Sequence, residues 1–335
     1  MSGTERDSRK VAVVGVVGRT NAGKSTLVNA LVGEKVSIVS PVEQTTRNTI
    51  RGIVADPRGQ LVLLDTPGLH KAVGGLGRLL NRMARRSAAG TDITCVVFDA
   101  SQEPQLEDVG WMQRVANENP DKVVFVLNKA DRSPFREEEF KEAWEKTMEG
   151  LERRESFASS PSSPASPASP SSPASPASSP ANPVWVKSIA TTEGGAKPVL
   201  DALFDLADEG EPLFDDDIVT DYPRKLAIAD AIREKFLAKL HQEVPHEVGV
   251  LVKSVKDEGS RWKVDAEVLV NRPSQKPIVI GRGAETVKYV RTRAERELSE
   301  MFGVKVSLEL WVRVEPGWMK NDRLLAEMGY LGELV

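Results

Sequence analysis

The chain has 335 residues, enough for two domains with substantial cores, and its 45 Lys and Arg residues against 49 Asp and Glu residues give a formal net charge of −4. That balance excludes a protein held to nucleic acid by its overall charge, so any such site must be a local basic patch. No stretch approaches the roughly 18 apolar residues of a membrane span, which excludes a membrane-spanning protein.

The N-terminal segment and the cysteine content indicate the compartment. Residues 1–10 contain acids and no apolar run, which argues against a secretory signal or a transit peptide, and we expect a flexible N-terminus there. The single cysteine, Cys95, lies in an apolar run and is expected to be a buried thiol. Both features predict a cytoplasmic protein.

Short β-branched runs alternate with longer helical patterns through the first half of the chain. This alternation predicts an α/β domain over residues 11–210 with a mostly parallel sheet covered by helices. Each nucleotide-binding signature described below occurs once, so we expect one nucleotide domain. The predicted strands are Val11–Val17, Ile50–Val54, Leu61–Leu64, Ile93–Phe98, Val123–Leu127 and Val184–Val186.

Residues 156–183 consist almost entirely of Ser, Pro and Ala. Such a segment buries too little apolar surface to offset the entropy of ordering it, so we expect it to be disordered. It could join two domains, but the strand pattern of Val184–Val186 beyond it favours an insertion within the first domain.

An acidic, turn-rich linker is expected over residues 211–222, followed by a smaller α+β domain over 223–335. Its predicted elements are a helix from Pro223 to His241, strands Val248–Lys256 and Trp262–Val270, a glycine-containing loop, a helix ending near Phe302, and a strand Lys305–Val314.

A P-loop follows the first predicted strand. Glycines allow backbone N–H groups to surround phosphates at a helix N-terminus, Lys24 can reach the outer phosphates, and the Ser25 hydroxyl can ligate Mg²⁺. The alternative is a glycine-rich turn before a helix. The candidate nucleotide-binding residues here are Gly18, Asn21, Ala22, Gly23, Lys24, Ser25 and Thr26.

Two further signals follow buried strands. Asp65 can hold a metal-bound water, and the N–H of Gly68 can approach a γ-phosphate. After the strand Val123–Leu127 come Asn128, Lys129 and Asp131, and the carboxylate of Asp131 can accept the N1–H and the exocyclic amine of guanine. Adenine has an acceptor at N1, so the sequence predicts a GTP site rather than an ATP site.

The motifs Gly18–Ser25 and Gln44-Thr45-Thr46-Arg47 resemble those of the Era-type family of P-loop GTPases. The resemblance implies that Thr46 closes on Mg²⁺ and the γ-phosphate, with Ser25 and Asp65 as the other metal ligands. It also implies a K⁺ ligand in Asn21 and a guanine-base loop at Ser188 and Ala190. Lys24, Thr46 and Gly68 are then the candidate catalytic residues for hydrolysis of GTP to GDP.

The residues after Gly68 are Leu69 and His70, so the water-orienting Gln of Ras-like enzymes is absent from this position. We expect slow intrinsic hydrolysis. His70 could position a water, but an exposed histidine without that role is the simpler interpretation.

In the second domain, residues 272–296 contain seven Lys and Arg residues and two Glu residues, so this region carries a local basic charge. A solvated helix face would have the same composition. The run Ile278–Glu285 resembles the loop of a KH domain, which clamps about four nucleotides of single-stranded RNA. Ala284 occupies the place of the second glycine in that loop. The candidate RNA-binding residues are Gly281, Arg282, Gly283, Ala284 and Lys288.

The resemblance implies a monomeric GTP-hydrolysing switch that binds 16S rRNA and assists assembly of the small ribosomal subunit. It also implies peripheral contact with the inner face of the cell membrane. The alternative is a GTP-regulated adaptor whose degenerate KH-like domain contacts protein or the membrane surface. A metabolic P-loop kinase is disfavoured, because Asp131 selects guanine and no second-substrate signature is visible.

Overall fold

A computed structural model describes residues 9–39, 49–67, 90–158, 182–240 and 244–330. Thr46, Gly68, His70, the N-terminal residues 1–8 and most of the Ser/Pro/Ala-rich segment lie outside these ranges. The first three residues of that segment, 156–158, form the end of a helix. Within the described ranges, every helix is too short or too polar to cross a membrane.

The first domain contains a mostly parallel sheet. The strands are β1 (Arg9–Val17), β2 (Ile50–Asp56), β3 (Gly59–Asp65), β4 (Ile93–Asp99), β5 (Val123–Asn128), β6 (Val184–Ser188) and β7 (Asp208–Gly210). Their order in the sheet is β2-β3-β1-β4-β5-β6, with β2 antiparallel to β3 at one edge and the short β7 antiparallel to the start of β1. The six predicted strands are all present, and the polar β7 carries no apolar pattern that could have predicted it.

Helices cover both faces of this sheet, because side chains alternate along each buried strand. One face packs against α1 (Lys24–Val32) and α4 (Lys197–Leu206), and the other packs against α2 (Leu106–Glu118) and α3 (Glu137–Ala158). Cys95 faces the first layer and its neighbour Val96 the second. Burial raises the pKa of the Cys95 thiol to about 12, so it stays protonated in the core.

The second domain has its own three-stranded sheet. The elements of this domain are α5 (Arg224–Lys239), α6 (Val244–Glu247), β8 (Gly249–Asp257), β9 (Arg261–Val270), α7 (Gln275–Ile280), α8 (Glu285–Phe302), β10 (Lys305–Val314) and α9 (Asp322–Glu327). The strand order is β10-β9-β8, with β10 parallel and β8 antiparallel to β9, and helices α5 and α8 pack on one face of the sheet. The helix α7 was not predicted, since its six residues are too few to display a helical period.

Residues 211–222 are hydrogen-bonded to the first domain. The buried Gln60 side chain accepts hydrogen bonds from the backbone N–H groups of Leu213 (2.8 Å) and Phe214 (3.0 Å), and donates one to the Phe214 carbonyl. Further along, the N–H of Ile53 on β2 donates to the Val219 carbonyl at 2.9 Å. The segment therefore runs along β2 and β3 and sets where the second domain begins.

A cluster of two lysines and two glutamates joins the domains. Lys35, which follows α1, contacts Glu234 of α5 at 2.7 Å and Glu297 of α8 at 2.8 Å. Lys235 contacts the same two carboxylates. Burial of Glu297 opposes its ionisation, but the hydrogen bonds from Lys235 and Lys35 hold its pKa below the ordinary value.

Replacing Lys35 with alanine should lower the melting temperature by about 2–5 °C at pH 7, because two half-buried carboxylates would then share one cation. The lowered pKa of Glu297 contributes stability above its unfolded value of about 4.3, and this contribution disappears as the pH falls through the folded value. The effect of the substitution should therefore shrink at acid pH. Calorimetry at pH 7 and about pH 4 measures both effects.

Lys146→Ala is the matched control, since Lys146 forms an exposed pair with Glu142 within one helix. We expect it to change the melting temperature by less than about 1 °C. Equal losses for the two variants would contradict a stabilising role of the Lys35 cluster.

Candidate functional site

The carboxyl ends of four parallel strands bring the predicted nucleotide residues to one edge of the first sheet. Along this edge Val16 of β1 pairs with Asp65 of β3, and Asn128 of β5 pairs with Ser188 of β6. The P-loop begins directly after β1 and leads into α1. This edge is where open parallel sheets bind their ligands.

Two glycines of the P-loop occupy positions that a side chain would block. Gly18 has φ +145°, and a Cβ there would lie 2.3 Å from the Val97 carbonyl oxygen. Gly23 has φ +99°, and its Cβ would lie 2.3 Å from Nδ2 of Asn128. Both glycines are therefore required by the close approach of β4 and β5.

The side-chain amide of Asn128 links the P-loop to the loop after β6. Its Nδ2 donates to the Ala22 carbonyl at 3.0 Å, and its Oδ1 accepts from the Ala190 N–H at 3.3 Å. The Ser188 carbonyl accepts from the Ala130 N–H at 3.1 Å, and the Ser188 hydroxyl donates to the Gly195 carbonyl at 3.2 Å. Asn128 and Ser188 thus position the two loops, and Asp131 lies exposed at the adjoining turn.

Lys129 connects the segment after β5, which is expected to read the base, to the P-loop. Its Nζ donates to the Asn21 carbonyl at 2.8 Å and contacts Asp99, at the end of β4, at 2.6 Å. Burial opposes ionisation of Asp99, but hydrogen bonds from Lys129 and Ser101 lower its pKa overall.

Arg19 extends this charge network along the P-loop. Its guanidinium contacts Asp108 at 3.1 Å and Asp99 at 3.5 Å. Burial raises the pKa of Asp108 to about 6, against the opposing bonds from Gln105 and Arg19. The contacts of Arg19 with Asp99 and Asp108 were not predicted from the sequence. The position of Asp99 at the carboxyl end of a parallel strand was the available signal.

Lys24 and Asp65 are both buried at this site. Burial lowers the pKa of Lys24 to about 8, although the charge of Asp65 opposes the shift. Burial also raises the pKa of Asp65, against the charge of Lys24 and the nearby Ser25 hydroxyl. The Lys24 ammonium donates to the Arg19 carbonyl at 2.9 Å, inside the P-loop.

Both carboxylate oxygens of Asp65 are fully buried and receive no hydrogen bond of ordinary geometry from the described residues. Buried carboxylate oxygens without a partner are costly, and a bound Mg²⁺ with its waters would satisfy them. Ser25 lies in the first turn of α1, near Asp65, so the residues present fit a Mg²⁺ ion. Thr46, the third predicted ligand, lies outside the described residues.

The candidate RNA loop lies between α7 and α8 of the second domain. Gly281 has φ +77°, and a Cβ there would lie 2.7 Å from the Thr286 backbone nitrogen. Gly283 and Ala284 both adopt left-handed backbone conformations, with φ values of 58° and 62°. Arg282 is exposed, and Lys288 donates to the Gly283 carbonyl at 3.3 Å. Ala284 therefore carries a Cβ at a left-handed position, which costs about 1–2 kcal/mol.

Two family models match the chain. The model described as a 50S ribosome-binding GTPase matches residues 13–129, and the KH domain model matches residues 243–319. These matches agree with the α/β fold of the first domain and the separate sheet of the second.

Curated relatives and solved structures match nearly the whole chain. GTPase Era of Leuconostoc citreum is 34% identical over 325 residues, covering 96% of each chain, and GTPase Era of Geobacter sp. is 35% identical over 318 residues, covering 95% and 96%. A crystal structure of Era in complex with MgGDPNP and nucleotides 1506–1542 of 16S ribosomal RNA superposes with a TM-score of 0.77 at 29% identity, covering 96% and 99%. A tyrosine-to-alanine variant of Aquifex aeolicus Era bound to GDP·AlF4⁻ gives the same values.

Binding of MgGDP at pH 8.5 should take up more than about half a proton, because the anionic phosphates raise the pKa of Lys24 from about 8. At pH 7 Lys24 is already charged and the uptake should nearly vanish. Calorimetric titration in two buffers of different ionisation enthalpy measures the protons exchanged. Lys24→Arg keeps a charge that cannot titrate and should remove the linkage. Identical heats in the two buffers at pH 8.5 would contradict the titration of Lys24.

Proposed function

The chain belongs to the Era family of GTPases, and on that premise we propose that it binds 16S rRNA through its second domain and assists assembly of the small ribosomal subunit. It binds guanine nucleotides and hydrolyses GTP. The observation that carries the proposal is the superposition of both domains on the Era complex that holds MgGDPNP and an rRNA segment.

In the proposed GTP complex the P-loop N–H groups surround the phosphates, and Lys24 neutralises charge on the outer ones. Ser25, Asp65 and Thr46 would hold Mg²⁺, which would supply positive charge to offset that of the phosphates. Asp131 reads the guanine edge, while Asn128 and Lys129 hold the two loops that meet the base. The role of Gly68 at the γ-phosphate and that of Asn21 as a K⁺ ligand stay predictions.

The RNA contact is assigned to the exposed loop Gly281–Ala284 and to Lys288. Backbone N–H groups and basic side chains at such a loop suit a phosphodiester backbone, and the Cβ position of Gly283 has no protein atom within 4 Å, which leaves room for close approach. The cytoplasmic location, the monomeric state and peripheral membrane contact also stay predictions.

A GTP-regulated adaptor is the second candidate function. The observation that favours it is the left-handed Ala284, because its Cβ projects from the loop where an RNA backbone must approach closely. In that case the second domain would contact protein or the membrane surface, and RNA affinity would be lost.

Asp131→Asn should shift the base preference from guanine towards xanthine. An amide loses one acceptor for the guanine N–H groups but can donate to the extra carbonyl of xanthine. Competition of GDP, XDP and ADP for the labelled nucleotide site measures the shift, which we expect to exceed about 100-fold in relative affinity. An unchanged preference for GDP would mean that Asp131 does not read the base.

The full chain with GDPNP should bind an RNA of the 16S segment 1506–1542 with strong salt dependence. Arg282→Glu should weaken binding by about 10-fold or more, since it places a negative charge against the phosphates. Arg323→Glu is the control, because Arg323 is exposed in the same domain but lies on α9.

Ala284→Gly tests the backbone at the same loop. It should keep or improve RNA affinity and raise the melting temperature slightly, since it removes the left-handed Cβ. If neither the native chain nor this variant binds the RNA at low salt, the adaptor becomes the better interpretation.

A further inference from the structure

Tyr289 is an exposed aromatic side chain on the helix that follows the RNA loop. It lies on α8 with 40% of its surface accessible. The Lys239 ammonium lies 5.3 Å from its ring centroid and the Arg293 guanidinium 5.5 Å. An accessible ring held among cations can stack a base while its neighbours contact phosphates.

The cations around Tyr289 are available for a ligand. Within the described part of the chain, Lys239, Lys288 and Arg293 form no salt bridge, although their domain is rich in carboxylates.

The nearby acids on α5 and α8 are already engaged. Glu234 and Glu297 contact Lys35 and Lys235, and Glu295 accepts a hydrogen bond from the Leu308 backbone at 2.8 Å. Glu300 is paired with Arg296. Glu285 lies in the first turn of α8, at the end of the helix that adjoins the loop. Among the described residues, the positive charge beside Tyr289 is therefore not cancelled by ion pairs.

Lys288, Tyr289 and Arg293 follow the candidate RNA loop along α8 and continue its surface. Lys288 already contacts the loop through the Gly283 carbonyl. Arg293 follows Tyr289 by four residues and shares its helix face. At 1.5 Å per residue Arg293 lies about 14 Å along α8 from Ala284, a distance that an extended single strand of RNA covers in a few nucleotides.

The far end of this surface reaches the first domain. Tyr289 and Arg293 line an open cavity of about 370 Å³, and Val39, just after the Lys35 cluster, also lines it. Glu234, Glu297 and Glu300 line it too, each already paired with a lysine or arginine. A strand leaving the loop along α8 would therefore arrive beside a residue of the GTPase domain.

We propose that Lys239, Lys288, Tyr289 and Arg293, here called the Tyr289 patch, form a second RNA-contact surface that binds nucleotides extending beyond the Gly281–Ala284 loop. The inference rests on the proposed RNA binding and adds to it a length dependence and an aromatic contact. RNA is favoured over a lipid surface because the side chains exposed next to Tyr289 along α8 are Lys288, Thr292 and Arg293, none of which is apolar.

The test compares two single-stranded RNAs from the 16S segment, bound to the full chain with GDPNP and followed by fluorescence anisotropy. One RNA has four nucleotides, and the other carries the same four extended by five at each end. Tyr289→Ala should weaken the long RNA by about 10-fold and the short one by less than about 2-fold. Tyr289→Phe keeps the ring and should retain affinity for both.

Salt titration measures the charge contribution of the patch. Arg293→Ala should reduce the slope of log affinity against log salt by about 0.7 for the long RNA. Arg323→Ala, an equally exposed arginine outside the patch, should leave the slope unchanged. GDP affinity, measured alongside, should be unaffected by all four substitutions, Tyr289→Ala, Tyr289→Phe, Arg293→Ala and Arg323→Ala.

The outcomes separate this inference from the proposed function. If the native chain binds neither RNA, both fail. If it binds both RNAs and Arg282→Glu weakens both, but Tyr289→Ala changes neither or changes both equally, only the Tyr289 patch is refuted. Loss of binding to phosphatidylglycerol vesicles in Tyr289→Ala and Arg293→Ala, with unchanged affinity for the long RNA, would assign the patch to lipid instead.

Discussion

The side-chain amide of Asn128 is the contact on which the nucleotide site depends. It occupies the end of a buried strand, where its donor and acceptor atoms hold the Ala22 carbonyl and the Ala190 N–H on opposite sides. A buried amide with both groups satisfied has one low-energy orientation, so it fixes the spacing of two loops that are far apart in sequence. Gly23 must lack a side chain because this amide lies where its Cβ would be.

Charged side chains extend this arrangement from the nucleotide site towards the second domain. Asp99 receives both Lys129 and Arg19, so the segment after β5 and the P-loop share one anionic partner. On the far side of α1, Lys35 binds two carboxylates of the second domain. The position of α1, which begins at Lys24 of the P-loop, is thereby linked to α5 and α8 by ion pairs rather than by a shared apolar core. Ion pairs between domains can exchange partners at a modest cost in free energy.

In the second domain, the Gly281–Ala284 loop and the neighbouring Tyr289 patch depend on different features of the chain. Its loop depends on backbone geometry, since Gly281 leaves no room for a Cβ and Gly283 and Ala284 are both left-handed. The adjoining face of α8 depends on side chains, with an accessible tyrosine between two cations. A loop of this kind positions a phosphate backbone, and an aromatic ring tolerates whichever base follows.

The sequence by itself determined the six main strands and the P-loop and indicated Asp131 as the candidate guanine-reading carboxylate, because these depend on local patterns of apolar residues and on motifs of a few consecutive positions. It also located the loop at Gly281, although the short α7 and β7 lacked any periodic signal. Only the tertiary structure decided that Asn128 and Ser188 hold loops together, that Asp99 and Asp108 bind Arg19, and that Lys35 joins the domains. These contacts link residues that are distant in sequence. Their partners are decided by which strand ends and helix faces meet, and no single segment of the chain encodes that.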